Sequence, residues 1–343
     1  MANIRDVAKR AGVSVTAVSF AMNGTGTLSD ENRLRIVNIA NEMNYTPNRA
    51  AQGLISGSLN TIGLVMPKPG TDFSLDLELI GEVGAAISEM GYHILLSWED
   101  TFGGKKVLNM VRSGQVDALC FVLPMDEGET FKVLNDMNFP YVLTTRPKEG
   151  VPADWVDVDN IDLGFKAAVM LIKSGHKGIG FVSPGPMDYL VSCDRFTGYQ
   201  MALKHFDIPI HADYFITGSH KLEAGKRALD HFLSLPEKPT AIIAGTAIIA
   251  IGMINRMREL GLEYPQDISI IAFDEFALSK EYEITTIHIP TQRIIHEAFR
   301  FLIKKMNAER ILKQTQIALQ SELYIRKTFV PDIRILDDWD YKQ

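Results

Sequence analysis

From Thr61 onward the chain repeats one texture: short apolar, often β-branched runs alternate with amphipathic segments of about 10 to 17 residues. The runs are TIGLVM, YHILLS, VDALCFVL, PYVLT, GIGFVS, TAIIAG and ISIIAF. Strands that are apolar at every position are buried on both faces, and such strands separated by helix-length segments build parallel sheets covered by helices. Roughly 270 residues of this pattern exceed one comfortable core and predict two α/β lobes.

The first 60 residues read differently, as short helices and turns. Asn3 can cap a helix over Ile4–Ala11, with Asp6 three positions on and Gly12 as its stop. Ser14 can cap a second helix from Val15 to Met22. Ser29, ahead of the acids Asp30 and Glu31, can cap a third, whose apolar face is Ile36, Ile39, Ala40 and Met43 and which ends by Asn44 and Pro47. Around the turn GVS stand a small residue where two helices would touch, Ala8, a glycine for the tight turn, Gly12, and an apolar anchor, Val18. A DNA-binding helix-turn-helix has these needs, and so does a plain helical hairpin.

Charge is distributed unevenly. The net charge is −7, with six basic and four acidic residues among positions 1–60, hence +2 there and −9 in the remainder. The overall sign argues against generic nucleic-acid binding, the asymmetry matters more than the sum, and the +2 of the N-terminal segment is modest support for a DNA contact there. Two cysteines, Cys120 and Cys193, make no CxxC and favour a reducing compartment. The N-terminus lacks the apolar core of a secretory signal, and the longest apolar run, Ala241–Ile254, is too short to span a bilayer.

The segment VSVTAVSFAMNG, followed by LSDENRLRIVNIANEMNYTPNRAAQGL and TIGLVMP, resembles the N-terminus of the LacI/GalR family of bacterial transcription regulators. The likeness continues through VDVDN (156–160), GHKGIGFVSPGP, RFTGY (195–199), PTAIIAG, ISIIAFDE, TTI and SELYIRKT. It implies an α/β protein with an N-terminal all-α helix-turn-helix headpiece and a two-lobed periplasmic-binding-protein-like (type I) core of doubly wound parallel sheets. The expected divisions are a headpiece at 1–46, a hinge helix or linker at 47–58, a core at 59–330 and an acidic tail at 331–343, read as exposed. Within the core, one lobe takes about 59–160 and 290–319, the other about 161–289 and 320–330.

By the same resemblance Ser14, Val15, Thr16, Ala17, Ser19, Phe20 and Asn23 face the major groove, with Ile4, Ser29 and Asn32 near phosphates. The hinge stretch would set Leu54 into the minor groove, and Asn48, Arg49, Ala51 and Gln52 against backbone or groove. Phe20 stands where the family commonly has arginine. It either offers apolar contact, as to a thymine methyl, or belongs to the small headpiece core.

Ligands of open α/β sheets lie beyond the carboxyl ends of strands, which makes Arg146, Asp159, Asn160, Asp274 and Glu275 candidates, with loop capping as the alternative for each. Family resemblance adds Arg195 as a clamp on effector oxygens and Asp274 as a hydroxyl acceptor, suited to polyols or carboxylates. Phe73 and His220 match positions that set an aromatic against the effector, with packing as the alternative. Thr246 is a further candidate, although Gly245-Thr246 replaces the usual Asn-Asp and Ile289 replaces a polar residue, so expected sugar contacts are missing.

The sequence shows no GxGxxG after a strand, GxxxxGK[ST], GxSxG or HExxH, and DVDN (157–160) lacks the glycine and distal glutamate of a calcium loop, reading instead as a strand edge facing the cleft. The expected protein is a cytoplasmic, nucleoid-associated, homodimeric regulator, most simply a repressor. It would bind a near-palindromic double-stranded operator in response to a small effector such as a sugar or sugar derivative, without cofactor, metal or membrane. The alternatives are a small-molecule sensor whose headpiece has lost sequence-specific DNA binding, and an enzyme on the same scaffold. Induction and corepression both stay open.

Overall fold

The computed structural model describes residues 2–46, 58–66, 83–85, 87–98, 104–122, 128–275, 277–308, 314–332, 334 and 340–342. Two compact units divide the chain, Met1–Asn60 and Thr61–Gln343.

The first unit carries three helices: α1 (Ile4–Ala11), α2 (Val15–Asn23) and α3 (Asp30–Glu42). Their ends follow from single residues. The Asn3 side chain accepts from the Arg5 and Asp6 N–H groups while the Asp6 carboxylate accepts from Asn3 N–H, so the start of α1 is closed reciprocally. Gly12 ends α1 in the left-handed region at φ 65°, where a side chain would be strained. Ser14 caps α2 through Ala17 N–H, and Ser29 caps α3 through Asn32 N–H. Val7, Ala8, Ala11, Val18, Ala21, Ile36 and Ala40 form the buried core of this unit.

In the second unit, the six strands β1 (Thr61–Met66), β2 (His93–Trp98), β3 (Ala118–Phe121), β4 (Tyr141–Leu143), β5 (Trp155–Val158) and, late in the chain, β11 (Gln316–Leu319) form one sheet in the order β11-β5-β4-β3-β1-β2, parallel throughout. Helices α4 (Lys105–Arg112) and α5 (Gly128–Asp136) belong to this lobe. The other sheet is built from β6 (Ile179–Val182), β7 (Phe215–Ile216), β8 (Ala241–Ala244), β9 (Ser269–Phe273), β10 (Thr285–His288), β12 (Glu322–Tyr324) and β13 (Asp340–Lys342), in the order β13-β12-β10-β9-β8-β6-β7. Its helices are α6 (Asn160–Lys173), α7 (Leu190–His205), α8 (Leu222–Ser234), α9 (Ala247–Leu260) and α10 (Ala277–Glu281). Helix α11 (Thr291–Met306) returns to pack on β3, β4 and β5.

Three short segments therefore pass between the lobes: at Asp159, at Ile289–Pro290 and at Gln320–Ser321. The last explains a departure from the expected all-parallel sheets. The chain leaves the carboxyl end of β11 and enters β12 with no crossover helix, so β12 lies antiparallel to β10.

A second departure concerns the C-terminus, expected as an exposed acidic tail over 331–343. Asp340–Lys342 instead forms β13, paired in parallel with β12 and extending the sheet by one strand. The edge of β12 offers unpaired backbone groups, and a strand pairing with them satisfies what a charged tail could not.

Candidate functional site

Where β4 and β5 end and α6 begins, polar side chains converge on α7. The convergence depends on glycine. A Cβ on Gly164 would sit 2.1 Å from the Arg195 carbonyl oxygen, and one on Gly198 would sit 2.0 Å from the Ile161 carbonyl oxygen. Helices α6 and α7 thus touch backbone to backbone, which brings Asn160 at the start of α6 within reach of Arg195. Gly198→Ala is expected to lower the stability of the core by about 1–3 kcal/mol, the usual penalty of overpacking, as read by chemical denaturation. An unchanged midpoint would show that the helices can separate freely.

Arg195 is 4% exposed. Its Nε donates to Asn160 Oδ1 at 3.0 Å and one Nη donates to the Gly245 carbonyl at 3.0 Å, while the other Nη lies 3.8 Å from Asp274 Oδ1. The guanidinium stacks on Phe273, 4.1 Å from the ring centre. Burial lowers its pKa, opposed by Asp274 and Asp157. Two of the five N–H groups of a guanidinium are used by Asn160 and Gly245, and the Nη that bonds neither is the one nearest Asp274.

Asp274 holds φ 69°, its backbone N–H donating to the Ile287 carbonyl, so the turn after β9 presents the carboxylate beside Arg195. Arg146, on the loop after β4, donates from its guanidinium to Asp194 Oδ2 at 2.9 Å and so joins the first lobe to α7 of the second.

Other candidates are engaged structurally. Asp159 caps α6 by accepting from Asp162 N–H at 3.0 Å, and Thr246 caps α9 through Ile249 N–H. Glu275 pairs bidentately with Arg326, at 2.6 and 3.0 Å, and also accepts from the Thr286 hydroxyl. It is thereby spent on anchoring β10 to the 325–329 turn. His220 is half-buried ahead of α8, and Ile289 packs against the main core cluster. Gly245 is required sterically: a Cβ would lie 2.2 Å from the Pro184 nitrogen, so the asparagine usual in the family has no room here. Phe73 lies outside the described residues.

In the headpiece, Ser14, Val15, Thr16, Phe20 and Asn23 are exposed along α2, Ala17 and Ser19 are half-buried, Ser29 and Asn32 are exposed at the start of α3, and Ile4 is half-buried. The Phe20 ring rests on Gly26, where a Cβ would be 2.4 Å from a ring carbon, yet the residue keeps 40% of its surface exposed. It belongs partly to the turn and partly to the surface. The basic residues of this unit are partly spent inside it: Arg35 donates to the Ala11 carbonyl at 3.1 Å, and Arg10 pairs with Glu42 at 3.3 Å. Asn48, Arg49, Ala51, Gln52 and Leu54 lie outside the described residues.

Residues 3–48 match the family "Bacterial regulatory proteins, lacI family", and residues 168–329 match "Periplasmic binding protein-like domain". The repressor PurR of Pectobacterium carotovorum is 31% identical over 318 residues, 90% of this chain and 92% of its own length. The chain belongs to the lacI family of bacterial regulatory proteins. Catabolite control protein A of Priestia megaterium is likewise 31% identical, over 90% of this chain and 93% of its own, and the regulator RegA of Clostridium saccharobutylicum is 29% identical over 96% and 99%. In fold, the chain matches the lac repressor dimer bound to operator and an anti-inducer, at a TM-score of 0.84 over 95% of this chain and 98% of that one, with 22% identity.

Against this family background the sequence placed Asp157 on a strand edge facing the cleft without giving it a role, and did not single out Asp194 or the contacts joining the two acids to Arg146 and Arg195. The available signal was an acid inside a buried strand, Asp157 between the core valines Val156 and Val158. No helix among the described residues is long and apolar enough to cross a membrane.

Proposed function

We propose that this lacI-family regulator is a cytoplasmic, nucleoid-associated transcriptional repressor that binds a near-palindromic operator as a homodimer, reading bases with the headpiece at 1–46. Residues 47–58 would form the hinge between headpiece and the core at 59–330. A small hydroxylated metabolite, a sugar or sugar derivative, is the effector bound between the lobes. The relatives are regulators by name, and the reading extends to this chain that it performs no catalysis.

The observation that carries the reading is α2. Its first turn exposes Ser14, Val15 and Thr16 while Val18 and Ala21 bury the opposite side. A helix held by its back and open at its N-terminal face can enter a major groove. For the effector, Asp274 supplies an acceptor and Arg195 a fixed donor array, a pair that suits vicinal hydroxyls. Coupling follows by linkage: a ligand favouring one arrangement of the lobes alters operator affinity, typically by 1–3 kcal/mol.

The test is selection of random duplex DNA by the full-length protein at fixed salt, with residues 61–343 as control, repeated in the presence of a metabolite extract. Enrichment of a palindrome by the full chain alone is the expected result. No enrichment under either condition would favour a sensor without sequence-specific DNA binding. Phe20→Arg should change the preferred base at one position of each half-site, because it replaces an apolar edge by a bidentate donor; an identical selected site would remove Phe20 from the reading surface.

A further inference from the structure

We propose that Asp157 is a positioning residue for the interlobe site, its carboxylate holding the Arg146 backbone directly and the Arg195 guanidinium through Asn160, so that both arginines are set from one buried point. The proposal rests on reading that site as the effector site, and deepens it.

Asp157 sits on β5, in register with Ala318 of β11, and is 5% exposed. Every hydrogen bond to its oxygens comes from a donor whose own group is fixed by the fold. Oδ1 accepts from Val158 N–H at 2.7 Å and from the Asn160 amide at 3.3 Å. Oδ2 accepts from Arg146 N–H at 3.0 Å and from the same amide at 3.2 Å. A carboxylate, which only accepts, satisfies all of them, whereas an asparagine would turn an NH2 against a backbone N–H. Asn160 is thereby held with its own oxygen toward Arg195 Nε.

Two arms leave this point. One runs through Asn160 to Arg195, the other through Arg146 to Asp194, and Asp194 and Arg195 are neighbours on α7. The arms close a ring across the passage from β5 to α6. The Arg195 arm is buried and the Arg146 arm is partly exposed.

The charged side chains facing Asp157 are those of Arg195 and Asp194. Burial pushes the Asp157 carboxyl up to about 7, against the pull of the Arg146 and Val158 N–H groups and of the Arg195 charge, with Asp194 adding to the rise. An unfolded aspartic acid ionises near 3.9. The folded chain therefore holds one more proton than the unfolded chain between about pH 4 and 7, and this contribution to stability falls as pH rises through that window. Ionisation also strengthens the hydrogen bonds that fix Asn160 and the Arg146 peptide.

The experiment follows the Nε–Hε resonance of Arg195 and the backbone amide of Arg146 in full-length, ligand-free protein labelled with 15N, between pH 5.5 and 8.5. Both should shift with one common midpoint near 7. In Asp157→Asn the midpoint should vanish from both, with at least tenfold faster solvent exchange of Arg195 Hε. Asn160→Ala, which leaves Asp157 in place, should likewise speed the solvent exchange of Arg195 Hε at least tenfold and keep the midpoint at the Arg146 amide. An Arg195 Hε exchange rate that is unchanged in Asp157→Asn, or unchanged in Asn160→Ala, overturns the proposal. Because no ligand is used, these results are separate from a metabolite titration, whose failure would strike the effector reading and not the role of Asp157.

Discussion

Replacing Val18 by aspartate is expected to abolish sequence-specific DNA binding, with a loss of at least about 1,000-fold, the lower end of the gap between specific and non-specific affinity. Val18 is fully buried in a core of seven residues, four of them alanines. A core that small has little stability to lose, and an ionised carboxylate at its centre has no partner, so α2 loses its seat on α1 and α3. The second compact unit begins at Thr61, so its thermal transition should be unchanged. Binding titration against the selected operator, with calorimetry of the same sample, reads both halves. Specific affinity within tenfold of the native protein would mean that Val18 does not anchor the headpiece.

Arg195→Ala is expected to destabilise the core by about 3–5 kcal/mol, because truncating one partner of a buried charge network leaves the others uncompensated. Asn160 Oδ1 and the Gly245 carbonyl would each lose a donor, and the ring of Phe273 would lose the cation stacked on it. The same variant should lose the response to effector. Stability and response are confounded at this residue, so Asp274→Asn is the cleaner companion: its carboxylate is only 3.8 Å from the guanidinium and 26% exposed, and its loss should weaken the effector response with a much smaller change in the denaturation midpoint. A native-like stability of Arg195→Ala would show that the network contributes little, and a native-like effector response in both variants would place the ligand elsewhere.

The helix ends of the headpiece were legible because capping is local. Asn3 with Asp6, Ser14 and Ser29 sit within three residues of the N–H groups they accept from, and Gly12 ends α1 by its own backbone freedom. The seven apolar runs likewise became strands, six of them because burial on both faces leaves no polar position to disguise them, while YHILLS forms the partly exposed edge strand β2. Phe20 resisted this kind of reading, since its surroundings depend on where Gly26 brings the turn, and its ring is shared between packing and solvent.

Sequence alone determined the capped three-helix headpiece, the two α/β lobes and the lacI-family membership, since periodicity, caps and motif order are written in residues a few positions apart. Tertiary structure alone decided that Glu275 is held by Arg326, that Gly245 answers to the Pro184 backbone, that 340–342 adds a strand, and that Asp157 meets the Arg146 backbone directly and Arg195 through Asn160. The partners in those contacts stand up to 61 positions apart (Gly245 and Pro184). The energy of a buried polar group depends on which donors the fold delivers to it, a quantity set by packing across the whole core.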